Sequence, residues 1–121
     1  KSQEFDYAPF GIVGLETTLP LMFTYLPKEG LEVLDLLSRM TVHPCRILKL
    51  PEPKLEAGAD GDLTLWNPER ESEIDRDRFF SKGRNTPFHG WKVQGRVEAT
   101  LVNGRFVHAA PDGPAADRLL S

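Results

Sequence analysis

At Leu50 the character of this chain changes, and the change limits what it can fold into. Before it, apolar residues recur at helical spacing; after it, they alternate or stand between prolines and glycines. Thr17 or Thr18 can cap a first helix, with Pro20 tolerated in the opening turn, where a missing N–H has no intrahelical partner. Leu19, Met22, Phe23 and Leu26 give that helix a buried stripe. Pro27 to Gly30 reads as a turn. Leu31 to Met40 reads as a second helix with Leu34, Leu37 and Met40 on one face. Thr41-Val42-His43-Pro44 then opens a short third helix ending near Leu48, with His43 at the cap and Pro44 at the first position.

The second half carries strand signals. Pro51, Pro53, Gly58 and Gly61 punctuate a turn-rich connection, and Leu63 to Trp66 is a short strand. Residues 67–78 are strongly charged and read as a solvated excursion. Lys92 to Val102 alternates, with Val93, Val97, Ala99 and Leu101 on one side. Asn103-Gly104 joins it to Arg105 to His108, a type I′ hairpin signal. Residues 110–121 read as a flexible, frayed tail. Three helices followed by three strands make a poor closed domain, because the sheet keeps open edges and the helices have no sheet to cover. Together with a start at Lys1 rather than a methionine, this predicts the tail of a longer polypeptide.

Composition excludes several classes of partner. The net charge of −3 argues against nucleic acid, whose phosphates need a basic surface. No apolar run approaches the roughly 20 residues of a membrane span. The polar, acidic start of the sequence does not read as a signal peptide. Cys45 alone excludes an intrachain disulfide and a cysteine-rich metal site, and fits a reducing cytoplasm.

Candidate chemistry is sparse. His43, His89 and His108 show no zinc-binding spacing, so a metal site made by this chain alone is not expected. His43 reads as a helix cap, His89 as a loop residue and His108 as a strand end. Cys45 lies in the first turn of a predicted helix, where the dipole can lower a thiol pKa, but a small buried thiol accounts for it more simply. Asp75, Asp77, Glu69, Glu71 and Glu73 belong to the mixed charge run. Lys82, Arg84 and Arg96 suit either an anion site or salt bridges.

One stretch stands apart. Ala8-Pro9-Phe10-Gly11-Ile12-Val13-Gly14-Leu15-Glu16 is an apolar loop that runs into the first helix. Ordinary surface loops are polar, so this composition implies backbone held close to something buried, a ligand among the options. Gly11 and Gly14 allow positive φ and close approach. Glu16 ends the apolar run and reads first as a cap on backbone N–H groups, and only second as a catalytic group.

The same stretch, continued through Thr17 and Leu19-Pro20-Leu21, resembles bacterial-type dihydroorotases of the amidohydrolase superfamily. So do Ser81-Lys82 with Asn85-Thr86-Pro87-Phe88, Gly90, Gly95 and Val97. His43-Pro44-Cys45-Arg46-Ile47-Leu48 is similar to an Asn-Pro-Ala-Arg-x-Leu segment of cyclic amidohydrolases, and Gly58 to Leu63 to the step before their late strands. Order and spacing agree from about Glu4 to Val107.

The resemblance implies an α/β fold: the C-terminal segment of a (β/α)₈ TIM-like barrel plus the C-terminal strands of a small β-sandwich. Residues 1–50 would end the barrel, 51–109 would belong to the sandwich and 110–121 would be the tail. It implies reversible, zinc-dependent hydrolysis of L-dihydroorotate to N-carbamoyl-L-aspartate in pyrimidine biosynthesis. Zinc ligands and the catalytic aspartate would lie upstream, leaving this chain no catalytic or metal-binding residue. Phe10 and Gly11 match positions that line the substrate, and Ser81 to Phe88 would pack sandwich against barrel. The implied partners are the upstream barrel portion of the same enzyme and dihydroorotate or carbamoyl aspartate; the resemblance also admits a homodimer and aspartate carbamoyltransferase. The alternatives are a non-catalytic dihydroorotase-like subunit beside that transferase, and another cyclic amidohydrolase of the hydantoinase or allantoinase type.

Overall fold

A computed structural model describes residues 10–117. Its helices are α1 (Thr18–Tyr25), α2 (Val33–Met40) and α3 (Val42–Leu48), and its strands are β1 (Leu63–Glu73), β2 (Lys92–Val102) and β3 (Arg105–Ala109). The strands form an antiparallel sheet in the order β1-β2-β3. Among the described residues there is no closed barrel and no second sheet. Ala8 and Pro9 lie outside the described residues.

α1 begins where expected, with Thr17 at the N-cap. The hydroxyls of Thr17 and Thr18 do not accept from the helix; they donate back to Gly14 O at 3.3 and 2.6 Å. Within α1 the buried Thr24 hydroxyl donates to Pro20 O at 2.6 Å and accepts from Gln94 N at 2.8 Å. That single oxygen ties the helix to β2. Phe23 packs on Trp66 with ring centroids 5.4 Å apart. Trp66 in turn covers Gly95, whose φ of +90° and missing Cβ make room for the indole.

The second and third helices depart from expectation in detail. α2 buries Leu36 completely while Leu34 is 79% exposed. Two residues along a helix is about 200° of rotation, so burying Leu36 turns Leu34 outward. α3 starts earlier than expected. Thr41 both ends α2 and precedes α3, so His43 and Pro44 sit inside the first turn instead of at its edge. Proline is tolerated there because the first turn's N–H groups have no intrahelical acceptors. Lys49 closes α3 in the left-handed region, and Arg46 pairs with Glu52 in a two-pronged ion pair, Nε–Oε1 2.8 Å and Nη2–Oε2 3.1 Å.

The charged run from 67 is not all excursion. β1 continues to Glu73, paired with Lys92. Its register breaks between Leu65 and Trp66 and between Asn67 and Glu71, the second break enclosing Pro68. An edge strand with bulges, a proline and outward charges is the arrangement that discourages edge-to-edge pairing. The hairpin is as expected: Asn103 (φ 50°) and Gly104 (φ 74°) supply the two positive φ values of a type I′ turn.

The alternation expected for β2 fails at Glu98. Leu65 faces Ala99 and Trp66 faces Val97, leaving Glu98 bulged between them and 5% exposed. Its Oε2 accepts from Arg96 Nη2 at 2.9 Å, and Arg70 Nη1 stands 3.8 Å from Oε1. Asp112 completes the group, 2.8 Å from Arg96 and bonded to Arg70. The hydrogen bond from Arg96 holds the Asp112 carboxyl below its ordinary value, against desolvation. Within residues 110–117, expected to fray, two alanines are packed. Ala110 and Ala115 are buried, Ala110 N donates to Glu98 O at 2.8 Å, and Ala115 joins Ala99, Ala109 and Phe106 in a small core. The aspartate and the alanines anchor this segment in a way its composition alone does not announce.

Candidate functional site

In the described part of the apolar loop before α1, Phe10, Ile12 and Leu15 face solvent, while Val13 is half-buried. Phe10 is 99% and Leu15 94% exposed. Gly11 takes φ +69°, and the position a Cβ would occupy there has no neighbour within 4 Å. An exposed loop with no core beneath it must be held by its backbone. Val13 N donates to Asn85 O at 2.9 Å, and Asn85 Nδ2 donates to Gly11 O. Gly14 O accepts from Thr17 N and Thr18 N at 3.0 and 2.9 Å, which turns the chain into the helix.

Glu16 sits at the other end of the loop. Its carboxylate does cap backbone N–H groups, but not those of its own helix: Oε2 accepts from Phe80 N at 2.9 Å and Oε1 from Ser81 N at 3.0 Å. Desolvation pushes the carboxyl upward, but the hydrogen bonds from Ser81 and Phe80, with the nearby Arg84 charge, outweigh it and hold Glu16 below its ordinary value. Arg84 braces the partner loop by donating to the carbonyls of Ser81 and Gly83. The 80–85 segment is therefore bonded to the apolar loop at both ends. The sequence singles out Phe10, Gly11 and Glu16, but not Asn85 as the partner of Gly11 and Val13. Its position directly after Lys82-Gly83-Arg84 is the available signal.

The other candidates stay apart. His43 lies exposed on α3, and His108 on β3 meets Phe80 edge-on at 5.8 Å. His89 accepts from Arg76 N at 3.3 Å through Nδ1. Lys82, Arg84 and Arg96 do not form one anion site: Arg96 is committed to Glu98 and Asp112, and Arg84 to backbone carbonyls. Cys45 is half-buried in α3.

Among the described residues, the metal-type donors that gather are Asp75, Asp77 and His89. His89 Nδ1 is already an acceptor for Arg76 N, Asp75 Oδ1 accepts from Asp77 N at 3.0 Å, and Asp77 and His89 are exposed. This set does not fit a closed or catalytic zinc site, which needs free, convergent ligands supported from behind. A recess of about 780 Å³ lies between Glu16–Thr17, β1 and Phe79–Phe80, but neither Phe10 nor Gly11 lines it. No helix among the described residues is long and apolar enough to cross a membrane.

Three short helices and a three-stranded antiparallel sheet make up part of an α/β architecture. The chain belongs to the amidohydrolase family, whose model matches residues 6–107. It is 48% identical over 108 residues to a dihydroorotase of Halalkalibacterium halodurans, covering 88% of this chain and 25% of that protein. A dihydroorotase of Pelotomaculum thermopropionicum is 47% identical over 88% of the chain and 25% of its own length, and one of Bacillus subtilis 43% identical over 89% and 26%. Among solved structures, an L-hydantoinase (dihydropyrimidinase) from Arthrobacter aurescens matches with a TM-score of 0.75 and 31% identity, over 84% of this chain and 23% of that one. The chain thus spans about a quarter of the length of the curated relatives it matches. Families of this kind are typically metal-dependent.

Proposed function

We propose that this chain is the C-terminal, substrate-contacting part of a cytoplasmic dihydroorotase, an enzyme that opens the cyclic amide of L-dihydroorotate to N-carbamoyl-L-aspartate. The observation that carries this reading is the loop at Phe10–Gly11, exposed on its outer side and fixed on its inner side by Asn85. A planar ring amide suits such a surface: Phe10 offers an apolar face, and Gly11 lets main chain come close without a Cβ. The greater identity to dihydroorotases than to the solved hydantoinase supports this substrate over a hydantoin.

In this reading the metal is zinc, held by parts of the enzyme outside this chain. This chain contributes binding and orientation, and no proton transfer. The barrel and sandwich would be completed by the upstream portion, for which Leu34, Ile47, Leu48 and Leu55 leave apolar surface uncovered. The test compares the isolated 121 residues with the full-length polypeptide, by metal analysis and dihydroorotate turnover. Turnover with zinc in the full-length protein and neither in the isolated chain is expected. Tight zinc and turnover by the isolated chain, or failure of the full-length protein to act on dihydroorotate, overturns the reading.

A further inference from the structure

The loop that carries Phe10 and Gly11 has an unusual support. Four of its residues, Phe10, Gly11, Ile12 and Leu15, are exposed, so apolar burial contributes little to holding it. The two bonds to Asn85 bracket Ile12: side-chain amide to Gly11 O, main-chain O to Val13 N. Gly83 lies so close to Val13 that a Cβ there would come within 2.6 Å of Cγ1. At the loop's far end the Glu16 carboxylate receives two backbone N–H groups. The contacts join segments 64 to 74 residues apart in sequence. Charge-assisted bonds to a carboxylate are stronger than neutral ones, so the Glu16 end is the firmer anchor.

We infer that Glu16 and Asn85 are positioning residues that hold the Phe10–Gly11 loop in its substrate-receiving shape. The inference rests on the proposed substrate role of that loop. A loop already ordered before binding gives up less conformational freedom when ligand arrives. Breaking the clasp lets the loop sample other shapes, and only the receiving shape binds, so apparent affinity falls by the fraction lost. Gly11 O is fixed toward Asn85, which sets the plane of the Gly11–Ile12 peptide.

The test uses the full-length enzyme with its metal. Asn85→Asp keeps the size and the main-chain acceptor but replaces the amide donor with a carboxylate facing Gly11 O. Glu16→Gln keeps one acceptor and removes the other. Each variant is expected to raise KM for dihydroorotate about tenfold, the weight of roughly one lost hydrogen bond, with the loss falling on KM rather than kcat. Metal content should be unchanged, and amide hydrogen exchange at 11–14 should accelerate. Faster exchange with unchanged KM, or no change in either, overturns the positioning role. If the wild-type enzyme does not turn over dihydroorotate, the substrate reading fails separately; unchanged exchange in both variants then overturns the clasp, and accelerated exchange confined to 11–14 and 80–85 upholds it.

Discussion

A Cβ placed on Gly95 would lie 1.8 Å from Cζ2 of Trp66, inside the ring's own van der Waals envelope. The indole, packed between Gly95 and Phe23, occupies the space that any side chain at 95 would need. Gly95→Ala therefore faces a steric clash and a φ of +90° at once. A cost of about 3 kcal/mol is expected, from overpacking together with left-handed strain. Urea unfolding of the full-length enzyme checks it, and a midpoint equal to wild type would show that Trp66 moves aside freely.

Gly11 presents the opposite case. Nothing stands within 4 Å of where its Cβ would be, so a substitution there meets no clash and acts only through the backbone and the ligand. Gly11→Ala is expected to cost about 1 kcal/mol through its φ of +69°. On the proposed substrate role of this loop, Gly11→Val should in addition raise KM for dihydroorotate by intruding on the ring edge. Unchanged kinetics in the valine variant would remove this loop from the binding surface.

The clasp at Glu16 has a pH signature. Its folded pKa is held below the ordinary 4.5, so the stabilisation is fully present above that value and is lost as pH falls through the folded pKa. Hydrogen exchange at Phe80 and Ser81 is expected to accelerate on acidification below about pH 4.5 beyond the intrinsic rate. In Glu16→Gln that added dependence should vanish. An identical profile in both proteins would assign the acid response to another group.

Arg96 and Glu98 set up a further expectation. Glu98 is 5% exposed, and Arg96 supplies its hydrogen bond. Arg96→Met leaves a buried carboxylate facing only Arg70, 3.8 Å away. The expected cost is about 3 kcal/mol. The double variant with Glu98→Leu should recover most of that loss, since removing both charges leaves no stranded group. Denaturant midpoints of the two variants decide it; equal loss in both would place the cost in packing instead of charge.

Local chemistry was legible, and long-range partnership was not. Asn103-Gly104 announced its hairpin because both positive φ values are intrinsic to those residues. Thr17 marks the N-cap position of α1, but its hydroxyl donates to Gly14 O and caps no helix N–H. The buried face of α2 is not legible in the sequence because Leu34, Leu36 and Leu37 are equally apolar, and only the neighbouring elements decide which is covered. The strand signal of β1 stops at Trp66 because its continuation to Glu73 carries charges and Pro68, which an edge strand tolerates and a central one does not. At the site, Glu16 was recognisable as an acceptor of backbone N–H groups. Its donors at Phe80 and Ser81 were not, because no periodicity links positions 64 residues apart.

The oxygen of Thr24 bears on how this region can be recombined with relatives. Composition invites a graft at Leu50, with helices from one parent and strands from another. Yet Thr24 grips Gln94, and Phe23 leans on Trp66, so the seam of the structure runs between α1 and the sheet and is crossed by both pairs. A chimera that exchanges one side must keep a hydroxyl at 24, a backbone N–H at 94 and matched rings at 23 and 66, or the seam loses both ties.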